Sequence, residues 1–527
     1  MTLLEIADLR VTIGDMPILK GIDLAVEAGH VAGIIGESGS GKTMTALSIM
    51  RLLPDGATAR GAIRIDGQPL LSLSERQMRV VRGREVGMIF QEPMTALDPL
   101  ATIGAHVAEP ILAHTGASRR EALAEADRVL TRAGLPRDLF PRDRYPHELS
   151  GGQRQRVVIA GAIAMKPKLL IADEPSTALD VTTQAKLLAL LRQLVDEDGM
   201  GLVFITHDLA VVAGLADTIA VMREGEVVDA GATAEVIGKR THPYTRQLFE
   251  ASRHVPARDP ALSGGEAVLR VRDLVRDYRI PARGIFGRAG TFRAVDGVSF
   301  SIERGETVGL VGESGSGKTT LARAILGLDP VQAGEIVIDG APLRAGDVAG
   351  GGKLQAVFQD PYGSFDPRQR VGTLVAEPFH RLGVSAPTGR ERDARVVRSL
   401  ERVGLSAADM HKYIHEFSGG QRQRIAIARA LIVEPKLIIL DEAVSALDVS
   451  IRAQILDLLA ALSDSHDIAY LFISHDLGVI RAITDRVLVM RAGKIVEAGP
   501  TESVFISPQH AYTQELLAAT PRLALAG

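Results

Sequence analysis

Residues 36–43 read Gly36, Glu37, Ser38, Gly39, Ser40, Gly41, Lys42 and Thr43, and residues 312–319 repeat them as Gly312, Glu313, Ser314, Gly315, Ser316, Gly317, Lys318 and Thr319. Glycines at this spacing let backbone N–H groups converge on phosphate oxygens. The lysine then reaches the β/γ-phosphates and the threonine ligates magnesium. Two acidic pairs, Asp173 with Glu174 and Asp441 with Glu442, end apolar runs. Each aspartate is suited to hold the magnesium shell, and each glutamate to orient or deprotonate an attacking water. His207 and His475 also follow apolar strands, in the place of a γ-phosphate sensor. Gln91 and Gln359 end strands, and their amide oxygens suit magnesium and the lytic water. Ser150, Gly151, Gly152 and Gln153, repeated as Ser418, Gly419, Gly420 and Gln421, form a second phosphate-facing surface at a helix N-terminus. One domain binding one nucleotide has no need of two such surfaces.

The elements that must carry these groups occur twice. Lys42 and Lys318 are 276 positions apart (42 to 318), whereas Gln91 and Gln359, Ser150 and Ser418, Asp173 and Asp441, and His207 and His475 are all 268 apart (91 to 359). A duplication with one length change between loop and glutamine explains both offsets. Apolar runs at 31–35 and 307–311 read as buried strands leading into each loop, and a helix over 43–53, stopped by Pro54, follows the first. Alternating stretches at 3–13 and 22–26 read as strands, 62–67 as a short strand and turn, and 86–90 as an apolar run ending at Gln91. Residues 101–145 carry Ala, Glu and Arg at helical spacing and predict a helical subdomain. Strand and helix alternate elsewhere, which predicts a mostly parallel sheet with helices on both faces. The domains expected are 1–250 and 268–527, joined by a linker at 251–267. Stretched out, about 17 residues reach ~58 Å, enough to set the two halves face to face. Residues 281–291, rich in glycine and arginine, predict a loop peculiar to the second half.

Composition sets outer limits. With 527 residues the chain exceeds one core. A net charge of −4 and a pI near 6.4 argue against nucleic acid as the main partner. There is no cysteine, which excludes disulfides, thiolate metal sites and cysteine nucleophiles. No apolar run is long enough to span a membrane without a charge, and the start, with Glu5, Asp8 and Arg10, does not read as a signal peptide.

The order of phosphate loop, glutamine, Leu-Ser-Gly-Gly-Gln, acidic strand, Thr177 to Asp180 or Ser445 to Asp448, and histidine resembles the ATP-binding cassette (ABC) ATPases, twice over nearly the whole chain. The resemblance implies an α/β fold of two homologous P-loop NTPase domains. Each would have a mostly parallel sheet core, an antiparallel β subdomain and a helical subdomain. It also implies a head-to-tail sandwich closed by ATP and Mg2+. One site would join Lys42, Thr43, Gln91, Asp173, Glu174 and His207 with residues 418–420. The other would join Lys318, Thr319, Gln359, Asp441, Glu442 and His475 with residues 150–152. Neither lacks a catalytic element, so both should hydrolyse ATP. The family stacks an aromatic residue on adenine, a role for Tyr278 that falls to Ile13 in the first half. Glu442 is followed by Ala443, where Pro175 follows Glu174.

Narrower features resemble the ATPases of dipeptide, oligopeptide and nickel importers. They are the runs after Gln91 and Gln359, and the tails His242, Pro243, Tyr244, Thr245 and His510, Ala511, Tyr512, Thr513. That likeness implies two fused energy-coupling subunits lying peripherally on the cytoplasmic face of the inner membrane. Their partners would be two membrane permease subunits and an extracytoplasmic substrate-binding protein, with no nucleic acid. Cargo would be di- or oligopeptides, with nickel, glutathione or opine-like compounds behind them. The rival reading is a soluble twin-cassette ATPase acting on ribosomes, whose relatives usually carry a longer, charged connector.

Overall fold

The computed structural model describes residues 2–521 except 92–95, 177–178, 259–264, 281–289, 344–351, 359–362 and 446. In the first half, β1 (Thr2–Ile13), β2 (Met16–Glu27), β4 (Ala57–Ile65) and β5 (Gln68–Pro69) form an antiparallel sheet in the order β2-β1-β4-β5. The core sheet joins β3 (Val31–Ile35), β6 (Val86–Ile89), β7 (Leu169–Asp173), β8 (Gly201–Ile205), β9 (Thr218–Arg223) and β10 (Glu226–Ala232) in the order β10-β9-β3-β8-β7-β6. It is parallel apart from the edge strand β10. All five residues of β3, of β7 and of β8 are buried. Strands covered on both faces read as unbroken apolar runs, which is why these stood out in the sequence.

The second half repeats the plan. Its antiparallel sheet contains β11 (Ala267–Ile280), β12 (Gly290–Glu303), β14 (Ala333–Ile338) and β15 (Ala341–Pro342). Its core sheet contains β13 (Thr307–Val311), β16 (Leu354–Val357), β17 (Leu437–Asp441), β18 (Ala469–Ile473), β19 (Arg486–Arg491) and β20 (Lys494–Pro500), in the same spatial order as the first. The extra loop expected at 281–291 belongs to β12 from Gly290 onward, and its remainder lies outside the described residues.

Both phosphate loops lead into helices, α1 (Lys42–Met50) in the first half. This helix ends before Pro54, because Arg51 turns left-handed at φ 50° and gives its N–H to Leu47 and Ser48. The cap, not the proline, terminates it. The predicted helical region contains α2 (Ile103–His114) and α3 (Arg119–Arg132), the latter opened by a Ser118–Glu121 capping box. Then come α4 (Gly151–Ile163), α5 (Val181–Asp198) and α6 (Pro243–Ser252). The second half has α7 (Lys318–Ile325), α8 (Gly389–Arg402), α9 (Gly419–Leu431), α10 (Val449–His466) and α11 (Ala511–Ala519) in the matching places. Among the described residues each half has two apolar clusters, and Val181 of the first half joins a cluster of the second.

The described residues that lead out of the first half, up to 258, are tied to the second. Residues 251 and 252 complete α6. His254 Nε2 lies 2.6 Å from Asp457, and Arg258 donates to Asp485 at 2.6 Å and to the carbonyl of Ile483 at 2.6 Å. All three of these partners, Asp457, Asp485 and Ile483, belong to the second half.

Candidate active site

The loop at 36–43 is shaped by the strand it leaves. Gly36 has φ 152°, and a Cβ there would sit 2.2 Å from the Met222 carbonyl. Gly312 repeats this against Met490. Only glycine fits so close a backbone approach. Lys42 folds back, Nζ donating to the carbonyls of Gly36 and Glu37 at 2.8 Å. Lys318 does the same at 2.7 and 2.9 Å. Burial lowers the pKa of both ammonium groups, and nearby carboxylates oppose it.

Neighbouring strands bring the acidic groups to the same end of the sheet. Thr43 and Thr319 donate to Asp173 and Asp441, whose pKa values burial pushes up to about 6. Asp173 Oδ1 is buried and has no hydrogen-bond partner among the described residues. A carboxylate so desolvated, with one orphaned oxygen beside a threonine hydroxyl, fits a magnesium shell. Glu174 and Glu442 take left-handed φ values of 47° and 52°. Their N–H groups bond to Ile205 and Ile473 on the adjacent strands. His207 Nδ1 stands 3.3 Å from Glu174, and His475 Nδ1 stands 3.2 Å from Glu442. Burial pushes Glu442 up, but His475 and Lys318 hold it below its ordinary value. Burial likewise pulls His475 down, yet Glu442 raises it overall. Gln91 Nε2 donates to Glu174 at 3.1 Å, so glutamine, glutamate and histidine form one chain in the first half. Gln359 lies outside the described residues.

A cavity of about 230 Å³ opens over the second loop, lined by Lys318, Thr319, Glu442, His475, Tyr278 and, from the other half, Asp180. Tyr278 pairs across the strands with Phe292, which also lines the cavity. Its hydroxyl donates to Asp329 at 2.9 Å, and Arg276 lies 4.2 Å from its ring. The equivalent cross-strand pair in the first half is Ile13 with Met16. Phe292 escaped sequence reasoning because the hairpin carrying it differs in length between the halves.

Ser150 and Ser418 cap α4 and α9 through capping boxes with Gln153 and Gln421. Residues 150–152 do not line the cavity over the second loop. Among the groups that cross between the halves are Asp180 and Asp448. Asp180 accepts the Ser314 N–H at 3.3 Å, and Asp448 accepts the Ser38 N–H at 2.7 Å. Thr182 adds a 3.0 Å bond to Glu313. Their repetition in register was the sequence signal, although no role was read from it. The two junctions differ. Burial raises Asp180, but the Thr183 N–H, the Thr182 hydroxyl and other donors leave it lowered overall. Asp448 makes no capping bond to α10, and burial leaves it raised.

Comparison with known proteins agrees with this geometry. A family model described as ABC transporter matches residues 19–177 and 295–445. One described as the C-terminal region of oligopeptide/dipeptide transporters matches 496–526. The chain is 47% identical to the glutathione import ATP-binding protein GsiA of Salmonella typhimurium (strain LT2) over 95% of its length and 86% of that protein. It is 47% identical to GsiA of Escherichia coli (strain K12), with the same coverage. Its fold is similar to the crystal structure of the archaeal ribosome recycling factor aABCE1 in complex with stalk protein aP1, at TM-score 0.58 and 23% identity, covering 91% of this chain and 87% of that one. With two phosphate loops, two acidic strands and two matches to one family model, the chain belongs to the ABC transporter family as a tandem ATPase.

Proposed function

We propose that the chain is the ATP-hydrolysing subunit of an importer for peptide-like cargo, in which the two halves, 1–250 and 268–527 with a linker at 251–267, bind two ATP molecules between them. The observation that carries this reading is the reciprocal crossing of Asp180 to the Ser314 amide and of Asp448 to the Ser38 amide. A face-to-face arrangement of this kind lets each half complete the other's site. The peptide-like cargo rests on the C-terminal match and on relatives named for glutathione import.

Within each site the residues divide the work. Lys42 and Lys318, with amides of the loops at 36–43 and 312–319, hold the phosphates. Thr43, Gln91 and Asp173, and Thr319, Gln359 and Asp441, would hold Mg2+, which would supply positive charge against the phosphates. Glu174 and Glu442 accept the proton of the attacking water, oriented by His207 and His475. Residues 150–153 and 418–421 cover the facing nucleotide once the halves close further, and Tyr278 stacks on adenine. Closure on ATP and release after hydrolysis then drive permease subunits, supplied with cargo by an extracytoplasmic binding protein, from a peripheral position on the inner membrane. Among the described residues no helix is long and apolar enough to cross a membrane.

The likeness to the ribosome recycling factor is at 23% identity and speaks to fold alone. Purification from detergent-solubilised cells should bring permease proteins with the chain, and membranes containing them should stimulate its ATPase activity. Stimulation by ribosomes, with no membrane protein recovered, would overturn the importer reading.

A further inference from the structure

Each half ends in a helix whose first turn carries a tyrosine that takes no part in the chemistry above. His242 Nδ1 accepts the Tyr244 N–H at 3.2 Å to cap α6, and His510 does the same for Tyr512 and α11 at 3.1 Å. Thr245 pins its helix to β10 by donating to Asp229 at 2.8 Å. The two tyrosines are 3% and 1% exposed, and Arg223 and Arg491 lie 4.9 and 4.6 Å from their rings. Both phenol oxygens accept the same amide, the second of the phosphate loop. These bonds are Glu37 N–H to Tyr244 at 3.2 Å and Glu313 N–H to Tyr512 at 2.9 Å.

The next amide along each loop is held from the opposite half, Ser38 by Asp448 and Ser314 by Asp180. Those aspartates stand at the N-termini of α10 and α5. The tail helices close the circuit, since α6 packs on α10 and α11 packs on α5. Two consecutive loop amides are therefore fixed by two acceptors whose own helices pack together across the junction. A phenol buried only for packing has no reason to meet this amide in both halves.

We propose that Tyr244 and Tyr512 are positioning residues for ATP binding: each tail holds its own phosphate loop in the shape that receives the triphosphate, and ties that shape to the seating of the facing half. This rests on the reading of residues 36–43 and 312–319 as phosphate cradles, and it is independent of cargo. Burial pushes both phenols up to about 12, so they remain neutral acceptors at any ordinary assay pH.

The test uses the full chain. Tyr244→Phe and Tyr512→Phe keep the ring under its arginine and remove only the acceptor. Each should raise the KM for ATP about fivefold while kcat stays within twofold, the pattern of lost ground-state binding. A structural role predicts otherwise: KM unchanged, with kcat and the unfolding temperature falling together, and that result overturns the proposal. Lys42→Ala and Lys318→Ala separate the premise, because both should abolish ATP binding at their sites. If they do so while the phenylalanine variants keep the wild-type KM, the tyrosine proposal alone falls. Site-specific 3-fluorotyrosine at 244 or 512 preserves the hydroxyl and so reports even should a phenylalanine variant not fold. Its 19F resonance should move when Mg-ATP saturates the protein, and a resonance unmoved at both positions overturns the inference.

Discussion

Glu174 and Glu442 occupy left-handed backbone, a conformation that costs on the order of 1–3 kcal/mol for a non-glycine residue. The surrounding bonds hold them there: a neighbouring strand carbonyl for each N–H, and a histidine for each carboxylate. Strain kept at the same point in both halves points to two working bases. Glu174→Gln and Glu442→Gln should therefore each cut turnover at their own site by about 100-fold or more. Steady-state ATPase assays check this, and full activity in either single variant would contradict it. The halves part at the position proposed for the adenine contact, Tyr278 with Phe292 against Ile13 with Met16. An aromatic pair gains about 0.5–1.5 kcal/mol beyond area burial, so Ile13→Tyr should tighten nucleotide binding by up to about tenfold. Unchanged affinity in equilibrium titration would remove Ile13 from the adenine site.

At the scale of elements, β7 and β17 each deliver a buried aspartate whose pKa is raised to about 6 by that burial. The sign follows from proton binding. Between the ordinary value near 3.8 and about 6, the native state holds protons that the unfolded chain has released. These two groups thus favour folding fully below pH 3.8, and that contribution disappears as pH rises through 6. Magnesium with nucleotide replaces the missing positive charge. The rise in unfolding temperature on adding Mg-ADP should accordingly be larger at pH 8 than at pH 5.5, and thermal scans at both pH values check it. An equal rise at both would mean that Asp173 and Asp441 do not face the metal.

At the scale of the whole molecule, the two halves solve one problem differently. Asp217 accepts the Val31 N–H at 2.8 Å and pairs with Arg192 at 3.1 Å, all within the first half. Asp485 accepts the Thr307 N–H in the same way, but its arginine is Arg258 from the linker. The position of Arg192 on α5 is taken on α10 by Ala460, which is 1% exposed and supplies no charge. The second half therefore borrows an ion from the connection that precedes it. Arg258 and Asp485 form a part-buried, charge-assisted pair whose loss costs about 1–2 kcal/mol, so Arg258→Met should lower the unfolding temperature of the second half and leave that of the first in place. Calorimetry resolving two transitions tests this, since a tandem protein need not unfold as one unit.

Residue type and register alone determined the duplication, the phosphate loops, the acidic strand ends and the histidines, because buried parallel strands and glycine-bound turns leave local marks. The fold class followed from the same marks, as did the family. Three things were decided only by tertiary structure. The end of α1 depends on a left-handed Arg51 that no residue type announces. The partnership of Tyr244 with Glu37 spans 207 positions, and that of Ser38 with Asp448 spans 410. Phe292 reaches the cavity over the second loop only through the pairing of β11 with β12. Local pattern records which face of an element is buried, but it holds no record of which distant chain buries it, and in this protein the contacts that join one half's loop to the other are all of that second kind.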